Sequence, residues 1–396
     1  MTATSPYPAI RIQPGQSRRV RTGHPWIFSN ELVMDEAAKA LPPGGLARVV
    51  DAGDEVLGVG TFNPHSLISV RMLTRDPTAV IDVDFLTRRV EKALALRREL
   101  FAGPFYRLAH AEADGFPGLV VDRFGEVITL EANTAGMERL LDDLLAALER
   151  VLNPSAILVK NDSAARRLEG LDTYERVVKG SLDGPVTVEE NGARYLADLA
   201  TGQKTGWFYD QRDNRAAVAR LCKGRTVADF YSYAGGFAVL AALAGATATV
   251  AVDGSEAALA LAAASAKLNG VGVDTVKAEC FAEMARLATE GKRFGVVVAD
   301  PPAFVKSKKD LAAGAKGYRK MTRLAAQLVE PGGFLFVASC SHHMGVDAFA
   351  EEVRHGLSLA GRDGRILRSA GAASDHPVHP ALPASAYLKS LLLQLD

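Results

Sequence analysis

The chain has 396 residues, 46 Lys+Arg against 46 Asp+Glu, and 48% apolar against 23% charged residues. This globular composition excludes a mostly disordered chain. Taken as a whole, the zero net charge also argues against a uniformly basic nucleic-acid coat or a polybasic membrane protein. The length allows two or three domains, each with its own core.

The first 75 or so residues are β-rich: Ala47–Val50, Val56–Gly60 and Leu67–Met72 are separated by Pro-Gly, Gly-Asp and Asn-Pro turn signals. A small barrel-like module over 1–75 is expected, ending near Asp76-Pro77. A mixed region, 76–190, follows. Phe85–Leu100 has a helical rhythm, and Leu119–Asp122 and Val127–Glu131 read as strands around Phe124-Gly125. Met137, Leu140, Leu141, Leu144, Leu145 and Leu148 line one helix face, and Ala156–Val159 reads as a strand. Val186–Glu190 and Ala193–Leu199 flank Asn191-Gly192, a strong hairpin signal leading into the last domain, 191–396.

From Thr226 the pattern becomes strand–helix alternation. The candidate strands are Thr226–Phe230, Thr249–Val252, Thr275–Lys277, Gly295–Ala299, Gly333–Ala338 and Leu388–Leu395, with helices such as Glu256–Leu268 between most of them. The fold class is therefore α/β: a Rossmann-like, mostly parallel sheet covered on both faces, preceded by a β-rich barrel and a central α+β domain. The longest apolar stretch, Phe237–Val252, is broken by Gly245, Thr247 and Thr249 and reads as helix, turn and buried strand rather than a membrane span. Met1–Ile10 lacks a basic segment followed by an apolar one, so no signal peptide is expected. Cys222, Cys280 and Cys340 lie far apart and form neither a zinc spacing nor a disulfide framework. A reducing, cytoplasmic setting without a metal centre is expected.

Ligands of such sheets bind beyond the carboxyl ends of the strands. The first strand ends in Asp229-Phe-Tyr231-Ser232-Tyr-Ala-Gly235-Gly236-Phe237, whose glycines allow a tight turn close to a ligand. It is not GxGxxG, so a nicotinamide dinucleotide is poorly supported. Asp253 ends the second strand, where a carboxylate can accept from both ribose hydroxyls of a nucleoside cofactor. Asp300 ends the fourth strand against the rigid Pro301-Pro302, and Cys340 follows the fifth between Ser339 and Ser341. Free cysteine is most often a small buried hydrophobe, which suits Cys222 and Cys280. Cys340, at the ligand edge beside Asp300, reads as a nucleophile.

These features resemble the S-adenosylmethionine-dependent methyltransferases. More narrowly, the chain resembles the bacterial large-subunit rRNA cytosine-5 methyltransferases that carry an N-terminal PUA domain. The resemblance runs nearly end to end. It includes His24-Pro25-Trp26-Ile27-Phe28-Ser29, Asp114-Gly115-Phe116-Pro117-Gly118, Asp122-Arg123-Phe124-Gly125, Lys204-Thr205-Gly206 and Asp210-Gln211-Arg212-Asp213. It continues through Ser232–Phe237, Asp300-Pro301-Pro302, Ser339-Cys340-Ser341 and Asp375-His376-Pro377-Val378. It implies S-adenosylmethionine as cofactor. Asp229, Tyr231, Ser232 and Gly235 would lie near its methionine part, Asp253 at the ribose and Glu279 at the adenine, where aspartate is commoner. Gln211 and Arg212, opening a helix, would face the cofactor or target pocket, or form a capped, solvated helix start.

The chemistry expected is covalent catalysis. Cytosine C5 is a weak nucleophile until a thiolate, here Cys340, adds at C6, and Asp300 would hold the N3 edge and amino group. The flipped base fits an RNA target, 23S rRNA or a large-subunit assembly intermediate. Candidate phosphate contacts are Arg18, Arg19 and Arg21, in a stretch of 30 residues without an acid, and Lys306, Lys308 and Lys309 past Asp300. Uracil-5 methylation and a non-catalytic RNA-binding assembly factor are the rival readings, homodimerisation is open, and no membrane is expected.

Overall fold

The computed structural model of the protein describes residues 6–202 and 206–396, so Lys204 and Thr205 of the motifs above lie outside the described residues. Near the N-terminus, five short strands form one sheet in the order Ala9–Arg11, Gly45–Val50, Val56–Phe62, Ile68–Thr74, Trp26–Phe28. Only the first pair is parallel. Ile10, Ile12, Ile27, Val49, Phe62 and Val70 fill its core. Asp82 then caps the helix Val83–Leu100 by accepting from the Phe85 N–H, as expected where an acidic side chain precedes an apolar helical stripe.

A second five-stranded sheet runs in the order Tyr174–Lys179, Ala156–Asn161, Val127–Ala132, Leu119–Phe124, Phe105–His110. The helices Val83–Leu100 and Leu141–Leu152 share its apolar core through Leu86, Val90, Leu94, Leu144 and Leu148. The single helix expected around Met137–Leu148 is two, Ala135–Arg139 and Leu141–Leu152, which meet at Leu140.

Contacts divide the chain into two compact units. The first holds the chain up to Gly184 and takes back the late segment Asp375–Pro383; the second holds Pro185–Gly202, Gly206–Ser374 and Ala384–Asp396. Arg97 and Arg107 anchor that late segment in the first unit. Arg97 is fully buried and donates to the Asp375 carbonyl at 3.0 Å, and the Arg107 N–H donates to the Asp375 carboxylate at 3.0 Å.

The second unit opens with the hairpin Val186–Glu190/Ala193–Ala197, turned at Asn191 (φ 53°) and Gly192 (φ 78°) as its Asn-Gly demands. The unit begins at Pro185, so the sequence boundary after 190 falls at the end of the hairpin's first strand. A sheet of seven strands follows, numbered β1 Thr226–Phe230, β2 Ala248–Asp253, β3 Asp274–Lys277, β4 Phe294–Ala299, β5 Val329–Ser339, β6 Gly364–Ala370 and β7 Lys389–Leu395. Their order is β3-β2-β1-β4-β5-β7-β6. The first five run parallel, and β7 and β6 are antiparallel additions. The helices are α1 Arg212–Ala219, α2 Gly236–Leu243, α3 Glu256–Leu268, α4 Cys280–Thr289, α5 Leu311–Gln327 and α6 Val346–Leu359. Val296–Ala299 is wholly buried, the continuous apolar run expected of a central parallel strand covered on both sides. Among the described residues no helix is long and apolar enough to cross a membrane.

Candidate active site

Register brings the strand ends together. Phe230 pairs with Val252 on one side and Ala299 on the other, and Ala299 pairs with Val337. The C-terminal tips of β1, β2, β4 and β5 therefore lie along one edge, with Asp253 ending β2 and Tyr231, Asp300 and Cys340 following β1, β4 and β5.

The turn after β1 is strained and underpartnered. Tyr231 and Tyr233 have φ of 61° and 47°, a region that costs a non-glycine residue on the order of 1 kcal/mol. Gly235, at φ 77°, caps the start of α2, and a Cβ there would stand 2.8 Å from that of Ala262. Asp229 is 1% exposed; one carboxylate oxygen accepts from the Ala238 N–H at 3.0 Å and Oδ1 has no hydrogen-bond partner. The Tyr231 hydroxyl and Ser232 Oγ are also buried without a partner. Buried polar groups are normally satisfied, so three such atoms within four residues at the end of β1 suit a polar ligand there.

Burial pushes the Asp229 carboxyl well above the usual aspartate range, and the charges of Asp300 and Asp253 push it the same way. The charges of Asp253 and Asp300 oppose ionisation of Asp229, and a cationic ligand beside the three carboxyls would relieve that repulsion. The linkage has a definite sign. A raised carboxyl stabilises the fold fully below the unfolded-state value, and that contribution is lost as pH rises through the folded-state value. Asp229→Asn is therefore expected to raise the thermal midpoint of the ligand-free protein at neutral pH, with the gain vanishing below about pH 4. The same change is expected to weaken S-adenosylhomocysteine binding. Thermal scans against pH, paired with calorimetric titration, check both, and a midpoint below wild type at neutral pH would overturn the assignment.

The other cofactor candidates are placed less uniformly. Asp253 is half-buried and organises the edge from within, accepting from the Tyr233 N–H at 2.9 Å and the Ser255 N–H at 2.8 Å. Exposed Glu279 caps α4, accepting from Phe281 and Ala282 N–H at 3.0 and 2.8 Å, so both its oxygens already serve the helix. Gln211, 3% exposed, donates to an Asp300 oxygen at 2.9 Å while its own carbonyl accepts from Asn214 at 2.7 Å. Arg212 turns elsewhere, 3.7 Å from the buried Glu190 carboxylate and 5.3 Å above the Tyr209 ring. The structure thus joins Gln211 to Asp300 and Arg212 to the hairpin.

Cys340 is the only cysteine not buried. Its Sγ lies 4.0 Å from the Pro301 carbonyl, at the foot of the proline rim that follows Asp300. Cys222 and Cys280 are buried, and burial pushes each thiol up to about 12, which keeps them inert near neutral pH.

Four side chains to which the sequence assigned no role support this edge. Glu190, whose side chain is fully buried, binds Arg215 at 2.6 and 2.9 Å and accepts from the Trp207 indole at 3.2 Å. Buried Asp210 accepts from the Tyr387 hydroxyl at 2.5 Å. Tyr318, also buried, meets the Ser341 hydroxyl at 2.8 Å, and that hydroxyl accepts from the Val305 N–H at 3.0 Å. Lys389 is 4% exposed. Two of the four carry a readable signal, a charge at an inward strand position: Glu190 alternates with buried Val188, and Lys389 interrupts an apolar run.

The basic candidates divide sharply. In the first unit, Arg19 pairs with Glu31 at 3.1 Å and lies over Phe28, and Arg21 pairs with Asp51 and Glu55 at 2.5 and 2.6 Å. Those acids come from outside the acid-free first 30 residues, so local sequence charge overstated the free positive charge there. Arg18 is exposed and pairs with no acid among the described residues. Trp26 donates its indole N–H to Glu112 at 2.7 Å and lies under Arg71. In the second unit, Lys306, Lys308 and Lys309 are exposed. Further along, Arg319 is taken up by Glu352 at 2.7 Å and Lys320 sits over the Phe281 ring.

Comparison with known proteins gives the family. Residues 10–75 match the PUA-like domain family, and residues 164–394 match the S-adenosylmethionine-dependent methyltransferase family. The ribosomal RNA large subunit methyltransferase I of Shewanella denitrificans is 36% identical over 393 residues, covering 98% of this chain and 99% of that protein. Its counterpart in Cronobacter sakazakii is 35% identical over 385 residues, covering 96% and 97%. Among solved structures, a Streptococcus mutans chain assigned as a methyltransferase superposes with a TM-score of 0.81 at 20% identity, covering 98% of this chain and 100% of that one. A second methyltransferase structure, solved with S-adenosylhomocysteine bound, gives 0.82 at the same identity and coverage. The chain is an S-adenosylmethionine-dependent methyltransferase and belongs to the ribosomal RNA large subunit methyltransferase I family.

Proposed function

We propose that the chain methylates C5 of a cytosine in 23S rRNA through a covalent adduct at Cys340. The observation that carries this reading is the pair of neighbouring strand tips: Asp300 after β4, and the one unburied cysteine after β5.

The residues fit the cofactor. Unpartnered Asp229 Oδ1, Tyr231 hydroxyl and Ser232 Oγ offer polar contacts, and the carboxylates of Asp229, Asp253 and Asp300 suit a cation. Asp229 would take the amino group of the methionine part, Asp253 the ribose hydroxyls, and the turn at Gly235 would let the backbone approach. Glu279 keeps a lone pair on each oxygen for the adenine amine beside its capping role. When bound, S-adenosylmethionine supplies an electrophilic sulfonium methyl group, which the activated C5 accepts.

The chain's own residues do the rest. The Cys340 thiolate adds to C6; the new S–C bond pushes an electron pair toward C5 and N3, giving an enamine carbon nucleophilic enough for methylation. Asp300, oriented by Gln211, accepts from the cytosine amino group and steadies the adduct. Loss of the C5 proton to a base then returns the electron pair, and the S–C bond breaks to release the thiolate. Exposed Lys306, Lys308 and Lys309, which follow the Asp300 motif, would neutralise phosphates flanking the flipped base. Arg18, with no acidic partner among the described residues, would contact RNA phosphates; Arg19 and Arg21, with their acidic partners, would contribute less.

Mass spectrometry of rRNA nucleosides from cells lacking the protein is expected to show loss of one 5-methylcytidine. Loss of a 5-methyluridine would redirect the reading to uracil. An unchanged profile would favour a non-catalytic assembly factor.

A further inference from the structure

Lys389 opens β7, and its Cα pairs with that of Ser339, the residue before Cys340. A lysine this deep, 4% exposed, is unusual without a carboxylate. Its ammonium instead donates to two backbone carbonyls of the loop that follows the cysteine, Ser341 at 2.5 Å and Met344 at 2.6 Å. Both distances are short, as in charge-assisted hydrogen bonds, and two acceptors favour the protonated amine. Burial lowers the lysine's pKa, while the charge of Cys340 acts in the opposite direction, so the two groups feel one another. Electrostatic coupling is reciprocal, and a cation that is stabilised by a thiolate stabilises that thiolate.

Near Cys340, Tyr318 of α5 is raised by burial and stays a neutral phenol, Asp300 at the β4 tip is an acid, and His342 lies exposed two residues on. We propose that Lys389 is a positioning residue for the nucleophile, its buried ammonium holding the Ser341–Met344 loop and stabilising the Cys340 thiolate. The proposal rests on Cys340 being the nucleophile, yet the two fail separately, because thiolate formation is measurable without methyl transfer.

The test is the pH dependence of Cys340 alkylation by iodoacetamide, quantified on the Cys340 peptide by mass spectrometry. Wild-type protein is expected to titrate below the ordinary thiol value of about 8.5. Lys389→Gln keeps an N–H donor for the carbonyls but removes the charge, and Lys389→Met removes both. Each is expected to slow alkylation at neutral pH by about tenfold or more, with the same limiting rate at high pH. Lys389→Arg, which keeps the charge, is expected to retain most of the wild-type profile. S-adenosylhomocysteine binding confirms that each variant is folded. A profile of Lys389→Gln coincident with wild type would overturn the proposal. So would a wild-type midpoint at or above the ordinary value, an outcome that needs no variant to fold. Methyl transfer surviving in Cys340→Ala would instead remove the nucleophile and leave the thiolate measurement standing.

Discussion

Cys340→Ala is expected to reduce methyl transfer to RNA by about a thousandfold or more, while S-adenosylhomocysteine affinity stays within about twofold of wild type. The asymmetry follows from the layout. The partnerless polar atoms lie at the end of β1 and in the turn after it, whereas Cys340 lies two strands away, after β5, and adds nothing to their bonding. Removing the thiolate removes the only route described here by which C5 becomes nucleophilic. Neither remaining cysteine can substitute, since both are buried with thiols held near 12. RNA carrying 5-fluorocytosine at the target gives a second readout, because a fluorine in place of the C5 proton blocks breakdown of the adduct. Wild-type protein is expected to remain attached to such RNA on a denaturing gel, and the alanine variant to run free. Unchanged turnover of Cys340→Ala would end the covalent mechanism.

Glu190→Ala is expected to destabilise the second unit by about 3–5 kcal/mol, the range for breaking a buried ion pair from one side. The Glu190 side chain is 0% exposed and that of Arg215 is 4% exposed. Truncation strands the guanidinium among Trp207, Phe237 and the Phe208 carbonyl, which cannot replace a carboxylate. A loss of that size lowers the thermal midpoint by about 10 °C in a unit of this length. Exposed Glu189 is the internal control: Glu189→Ala is expected within about 0.5 kcal/mol of wild type. Equal midpoints for the two variants would show that the buried pair does not hold the hairpin to α1. Activity should fall with stability, because Arg215 also fixes the Phe208 carbonyl three residues before Gln211, the residue that orients Asp300.

The alternating core of the second unit was legible in the sequence because strands buried on both faces read as unbroken apolar runs. β1, β2, β4, β5 and β7 overlap the expected segments in this way, whereas β3, mostly exposed, was marked only by its place in the strand–helix alternation. β6 was not, for a physical reason. All but the last of its residues, Gly364–Ser369, are exposed, so neither alternation nor a continuous run marks it. Tyr174–Lys179 escaped in the same way, being an edge strand with its middle residues exposed. The chemistry-bearing tips were legible because a parallel sheet gathers strand ends whatever the details of packing. Electrostatics was not, because charge neutralisation is set in space. Arg19 and Arg21 looked like free cations in an acid-free stretch, and their partners Glu31, Asp51 and Glu55 come from beyond it. Glu279 shows the converse: a position suited to a ligand contact also serves as a helix cap.

The late segment Asp375–Pro383 has a further consequence, for dissection of the molecule. The two units are interleaved along the chain, so no single cut separates them. A fragment ending at Gly184 loses Asp375 and leaves the deeply buried Arg97 and the Arg107 amide short of an acceptor. A fragment beginning at Pro185 carries that segment without the residues that hold it. The same threading ties β7, and with it Lys389, to a stretch of chain that folds with the N-terminal half, so the last strand of the catalytic sheet follows directly from a segment seated in the other unit.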